Sequence, residues 1–518
     1  MVKDYFRCNH GYEWISFVIR PIDPLIATMA LYFVATILIA WWFGRDADAG
    51  YVEFTLAGKD LGLIPFTMTY FATFVGGGLT MGIAQTAFLG GISAQWYAMT
   101  QGIAWITISI FIGYLYAFDV VSVPELLGRV FGANSKYFAA VATVMGQIAL
   151  TAGQTIGMAT VIATVTDIPL HVAFWVSTLV FVGITVWGGM SSVAWADTLH
   201  GIIIIVGMII AMPLAVTNVG GVGAIASQVP AGHTNWFGVG LIQIGTWYLL
   251  YITVAGAQQH LLQRTWSAKN ERVAMIGVFL AGLVISGYGI LTATAGLIAQ
   301  SQGANVDPSM AFAWTLTNTL HPVFGGLLLA AAVGAVMSGA DSMLLAGATT
   351  FVNDLYIPLR GGMENVSQSH LVLVTRVVIT VFGIGAALIA LSGVGIVAID
   401  NLGMGVMSVL FAGILTMFWS NTKREAGLPG FLIGGAVFVF WYFILGEPAF
   451  FGEGPMESAV PATLAALIAI GVLSYLYKDG ETFTVEEVQQ IATQDMNRFT
   501  SEELTGDNDR DASVSSDD

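Results

Sequence analysis

The sequence predicts an all-α membrane protein of about 13 transmembrane helices, with its N-terminus outside and its C-terminus inside. Three observations predict it. Hydrophobic residues make up 56% of the 518 and charged residues only 10%, against roughly 25% charged in a soluble domain. Apolar stretches of membrane-crossing length recur along the chain. Lys and Arg collect in alternate connections between those stretches. Such a chain cannot cover a water-facing surface, which excludes a secreted enzyme, a soluble nucleotide-binding protein and a DNA-binding protein. A single cysteine, Cys8, rules out an intramolecular disulfide.

A bilayer core of about 30 Å takes about 20 residues of helix. Candidate spans run over 25–44, 64–90, 92–117, 137–162, 167–187, 190–215 and 237–260, then 272–299, 322–356, 369–393, 395–420, 425–446 and 456–477. Several exceed the minimum, so tilts and breaks are expected. With the N-terminus outside, the inner connections carry Arg45, Lys59, Arg129, Lys136, Arg264, Lys269, Arg272, Arg360, Lys423 and Arg424. The outer connections between spans carry neither Lys nor Arg, and Arg376 lies near the inner end of its span. Only the N-terminal segment dissents, with Lys3, Arg7 and Arg20. This bias supports both count and orientation.

The two ends differ from the rest. Residues 1–24 read as an extracellular segment without a cleavable signal peptide. Residues 479–518 hold 12 Asp and Glu against Arg498 and Arg510, ten of the chain's net charge of −16. That composition stays solvated, so 478–518 read as an acidic, disordered cytoplasmic tail. A short amphipathic helix near Val485 to Ile491 is compatible with it.

Three consecutive glycines, Gly76 to Gly78, fall inside the second span. Each weakens a helix by about 1 kcal/mol relative to Ala, so the helix should unwind there. The freed carbonyls then need a cation, a ligand or another helix; a tight helix crossing is the alternative. Further on, Ala335, Ser338, Gly339 and Ser342 fall on one helix face of small and hydroxyl residues. That face suits a monovalent cation or, equally, a packing seam. Asp341 and Asp354 follow toward the cytoplasmic end.

Intramembrane acids are few, and each is a site hypothesis because a buried carboxylate in lipid is costly. Asp197 lies at the cytoplasmic start of a span and reads as functional; Asp400 is neutral between function and a solvated helix end. His200 reads as a satisfied helix-end histidine. Trp247 and Tyr251 stack one turn apart with Gln243 a turn earlier, a solute pocket or an aromatic packing stripe. The chain has no Walker loop, no zinc-protease motif and no paired cysteines, so ATP-driven transport and enzymatic catalysis are not expected.

Four segments carry a family resemblance. Phe54-Thr-Leu-Ala-Gly-Lys-Asp-Leu-Gly62 and Val123-Pro-Glu-Leu-Leu-Gly-Arg-Val-Phe-Gly132 are the first two. Val186-Trp-Gly-Gly-Met-Ser-Ser-Val-Ala-Trp-Ala-Asp197 is the third. Gln259-His-Leu-Leu-Gln-Arg-Thr-Trp-Ser-Ala-Lys-Asn270, with Met337-Ser-Gly-Ala-Asp-Ser342, completes them. With these the chain resembles the sodium:solute symporter family over nearly all of 25–477, which would be one transporter domain.

The resemblance implies a LeuT-like core of five plus five helices in inverted repeat, here 64–215 and 237–420. It implies symport of a small organic solute (amino acid, carboxylate or pantothenate-like) with inward sodium, in the plasma membrane. Sodium would bind the backbone of Ala72 and Val75 with Ala335, Ser338 and Gly339, and Asp197 would match the acid on the sodium exit route. The solute would sit near Gly76, Gly77, Gly78, Gln85, Trp247 and Tyr251. No cofactor, nucleic acid or obligate protein partner is implied beyond sodium, solute and lipid. Two positions depart from the pattern: Gly339 where many relatives have a second hydroxyl, and Phe74 where the proline carriers have an acid. A proton-coupled carrier of the same fold, or a solute sensor signalling through its tail, are the alternatives.

Overall fold

At bilayer depth a backbone must satisfy its own hydrogen bonds, and helices do so within one segment. The computed structural model describes residues 24–118, 120–166, 168–393, 396–450, 454–483 and 487. The expected N-terminal segment up to residue 23, the short helix near 485–491 and the acidic tail beyond residue 483 lie outside them, Glu487 apart. The described residues are almost wholly helical. The exception in extended form is an antiparallel pair, Ala449–Phe450 with Gly454–Pro455.

The first half holds α1 (Pro24–Phe43), α2 (Tyr51–Leu56), α3 (Leu63–Ala72), α4 (Ile83–Gly90), α5 (Trp96–Tyr116) and α6 (Val123–Phe131). Two long helices follow, α7 (Ala133–Thr166) and α8 (Leu170–Asn218), and then the short α9 (Gly221–Gln228). The second half begins with α10 (Leu241–Ala255), α11 (Gln259–Ser267), α12 (Glu271–Ser301) and α13 (Ala311–Thr319). It ends with α14 (Pro322–Thr350), α15 (Gln368–Leu391), α16 (Ile396–Thr416), α17 (Gly427–Val439) and α18 (Ala459–Leu476).

Among the described residues nine helical runs are long and apolar enough to cross a membrane. Three shorter apolar helices, Ala27–Phe43, Leu63–Ala72 and Leu241–Ala255, coincide with further expected spans. The spans expected at 167–187 and 190–215 form one helical run of 49 residues, bent at Gly189, where φ is 52° and ψ −142°. A Cβ there would stand 2.2 Å from the Phe54 carbonyl oxygen, so the bend requires glycine on both counts.

Helix α14 is the enclosed axis of the molecule. Every residue from 328 to 350 along it is buried, and it packs on α1, α7 and α8. A π-helical turn, Phe351–Tyr356, continues it. Lipid-facing helices show the complementary pattern, with Leu373, Val377, Val381, Ile384 and Leu388 of α15 exposed along one side.

Candidate functional site

Two chain breaks meet at one cavity. The first follows α3: residues 73–76 turn without regular helix, Gly77 resumes helical backbone, and a π-helical turn, Gly78–Gly82, leads into α4. The break falls on the glycine run, as the helix cost of consecutive glycines requires. The second lies at residues 256–258, between α10 and α11. The cavity is partly open and has a volume of roughly 60 Å³. Thr73, Phe74, Gly76 and Gly78 line it from the first break and Gln258 from the second. Tyr97, Gln154, Tyr251 and Asp400 complete its polar and aromatic wall, with Leu79, Leu150, Met343 and Met404 filling between them.

Of the expected solute residues, Gly76, Gly78 and Tyr251 line this cavity. Gly77 stands just behind it, its N–H 3.5 Å from Gln154 Oε1. Trp247 is set back by one layer and packs edge-on against Tyr97, with centroids 5.3 Å apart. Gln85 sits beyond the first break on α4 and does not touch the cavity.

The expected cation residues converge beside the first break. Ala72, Val75, Ala335 and Ser338 are all buried. Thr73 Oγ1 lies 3.2 Å from Ser342 Oγ, which ties the break to α14. A Cβ at Gly339 would stand 3.1 Å from the Thr73 carbonyl oxygen and 3.3 Å from Gln154 Cδ. The Gln154 carboxamide therefore flanks the space that a second hydroxyl would use.

Below Ser338 lies a buried polar knot. Arg264 Nη2 pairs with Asp197 Oδ2 at 3.2 Å. Its Nε donates to Thr69 Oγ1 at 2.9 Å, its Nη1 to the His260 carbonyl at 2.8 Å, and its Nη2 also to Ser342 Oγ. Thr69 in turn donates to Asp197 Oδ2. The sequence placed Arg264 in a cytoplasmic connection. The structure corrects this: all nine residues of α11 are buried, Arg264 at 0% exposure. A guanidinium can be buried when carboxylate, hydroxyl and carbonyl partners fill its fork.

Several oxygens of this knot remain without an aligned partner. They are Ser338 Oγ, Asp197 Oδ1 and both carboxylate oxygens of Asp341. Ser338 lies next to Asp197, and Asp341 lies within electrostatic reach of Asp197 and Arg264. Arg264 is thus paired with one carboxylate, that of Asp197, while the second, Asp341, stands nearby without an ion pair among the described residues. His200, expected at a helix end, is buried in the interior of α8; its Nδ1 pairs with Tyr32 and its Nε2 has no hydrogen-bond partner.

A second network holds the far end of α14. Asp354 Oδ2 accepts from Ser122 Oγ at 2.5 Å, and Lys136 Nζ stands 3.2 Å from Asp354 Oδ1. Ser122 caps α6 by accepting from the Glu125 N–H. Gln259 joins α11 to the same turn through the Val123 N–H and the Val121 carbonyl. At the opposite side, Asn401 donates to Glu447 and Glu457, at 3.3 and 2.8 Å. Burial, then the charge and hydrogen bond of Glu447, push the Glu457 carboxyl up to about 8.

Local pattern did not reveal Gln154, Gln258 or the break at 256–258. The only cue to that break is Gly256 followed by two glutamines.

Residues 54–434 match the sequence model of the sodium:solute symporter family. The high-affinity proline transporter of Bacillus subtilis is 23% identical over 78% of this chain and 89% of its own. A sodium/proline symporter of Staphylococcus aureus is 23% identical over 89% of this chain and 94% of its own. The fold is similar to that of a Na+-coupled sialic acid symporter in a substrate-bound outward-open state, with a TM-score of 0.73 and 18% identity over 89% of this chain and 99% of that one. A nucleobase-cation-symport-1 family transporter aligns with a TM-score of 0.55 and 13% identity, over 85% of this chain and 97% of its own.

Proposed function

We propose that this chain, which belongs to the sodium:solute symporter family, couples inward sodium movement to uptake of a small organic solute by alternating access. It is a multi-pass protein of the plasma membrane, and its relatives are transporters rather than enzymes. The observation that carries the coupling is the approach of the 73–76 break to α14, at Thr73 and Ser342, beside the buried oxygens of Ser338, Asp197 and Asp341. Broken helices leave backbone groups free to meet an ion and a solute at the same depth.

In this reading sodium is held by the carbonyls of Ala72, Val75 and Ala335 and by Ser338 Oγ. At Gly339, Gln154 supplies the oxygen that a hydroxyl supplies elsewhere. Asp197 lies on the exit route and Arg264 closes it. The transporter domain is 25–477, with repeats 64–215 and 237–420, thirteen crossings, the N-terminus outside and the C-terminus inside. The solute, an amino acid, carboxylate or pantothenate-like molecule, occupies the cavity between the two breaks. The network on Asp354 then faces the cytoplasm and opens when the core rocks.

The test is uptake into proteoliposomes under an imposed sodium gradient, a proton gradient or none, against amino acids, short carboxylates, pantothenate and sugars. Accumulation driven by sodium alone is the expected result. Accumulation driven only by protons overturns the ion assignment. Output that persists without accumulation and depends on residues 480–518 is the signature of a sensor.

A further inference from the structure

The charge in the cavity wall speaks to the solute. Among the lining residues Asp400 is the single formally charged one; no Lys, Arg or His is among them. Its Oδ1 is shut away from solvent and has no hydrogen-bond partner. That oxygen is packed against Gly153, where a Cβ would stand only 2.0 Å from it. A carboxylate without a donor or cation at this depth costs several kcal/mol. Such a group rests as the neutral acid and becomes a carboxylate only when something positive arrives to balance it.

The surroundings fit a positive nitrogen better than a second metal ion. Phe74, Tyr97 and Tyr251 line the same cavity, with Tyr97 and Tyr251 edge-on at 5.3 Å. Aromatic faces attract an organic cation, most strongly when water is excluded.

We propose that Asp400 is the specificity determinant of the solute site, and that the solute carries a substituted ammonium group seated between Asp400 and the Phe74, Tyr97 and Tyr251 rings. The inference rests on the symport reading and narrows its solute: zwitterionic or cationic amines fit, and carboxylates or sugars without an amine do not.

The experiment uses purified full-length protein in detergent with sodium chloride. Thermal stabilisation is read for L-proline, glycine betaine and tetramethylammonium against butyrate, pantothenate and galactose, in wild type, Asp400→Asn and Asp400→Glu. The expected result is stabilisation of the wild type by one or more ammonium solutes and by none of the others. Asp400→Asn should weaken that binding about 100-fold, and Asp400→Glu should keep part of it. Stabilisation by butyrate, pantothenate or galactose overturns the proposal, and so does a shift from none of the ammonium solutes. An ammonium solute bound equally well by wild type and Asp400→Asn also overturns it. Repeating the titration in choline-free potassium chloride separates the two ideas: ammonium solutes bound as tightly in potassium as in sodium, with their selectivity intact, refute sodium coupling and leave Asp400 in place.

Discussion

Arg264 and Asp197 pair at 3.2 Å with neither side chain exposed to solvent. The pair joins α11 to α8, two elements 67 residues apart in sequence, and it also anchors Thr69 of α3 and Ser342 of α14. Four helices thus share one guanidinium.

Removing one partner leaves the other charge stranded. Arg264→Ala or Asp197→Ala should each destabilise the protein by about 3–5 kcal/mol. The double substitution Arg264→Ala with Asp197→Ala should lose less than the sum of the two. Melting curves in detergent for the four proteins form the cycle. Equal losses that simply add would show that the two groups do not interact.

Ser338→Ala should raise the sodium concentration for half-maximal uptake about tenfold, at unchanged protein yield, the scale of one lost charge-assisted contact. Sodium titration of uptake reads this directly. A half-saturation concentration that stays put takes Ser338 out of the ion site.

Lys136→Met leaves buried Asp354 with Ser122 and Asn353 as its remaining partners. The α6 turn should then loosen by about 1–3 kcal/mol. Amide exchange across Val123–Phe131 should speed up by about tenfold or more, while α12 keeps its protection. Unchanged exchange in α6 would mean that the network does not hold the turn closed.

Glu457 should make stability fall with rising pH. Its folded value near 8 lies above its ordinary 4.5, so the folded state holds the proton more tightly. The contribution is complete below about 4.5 and is lost as pH climbs through 8. Glu457→Gln should flatten the curve and raise the melting temperature by about 1–3 °C above pH 8. Parallel pH dependence in wild type and variant would assign the effect elsewhere.

The sequence made some of this architecture legible and hid the rest for identifiable reasons. Apolar length and Lys/Arg placement show in any window, so the helices stand where they were expected. The break at residues 73–76, with the π-helical turn after it, was visible because three adjacent glycines are a local signal. The break at 256–258 was not, since one glycine among Val, Ala and Gln reads as ordinary helix. Arg264 looked like a loop charge because its partners lie on α3, α8 and α14, which no window contains. Gln154 sits on a helix of 34 residues, and only the approach of Gly76 and Gly339 gives its amide a role. Trp247 and Gln85 were chosen by pattern on their own segments; the fold puts Tyr97 in front of one and turns the other away.

The wall of the cavity begins at Thr73 and ends at Met404. At about 5–20 residues per second of synthesis, the first half of that wall waits roughly 15–65 seconds for the last. Until α16 emerges the wall lacks Asp400 and Met404, so a chain stopped before it should insert yet bind no solute.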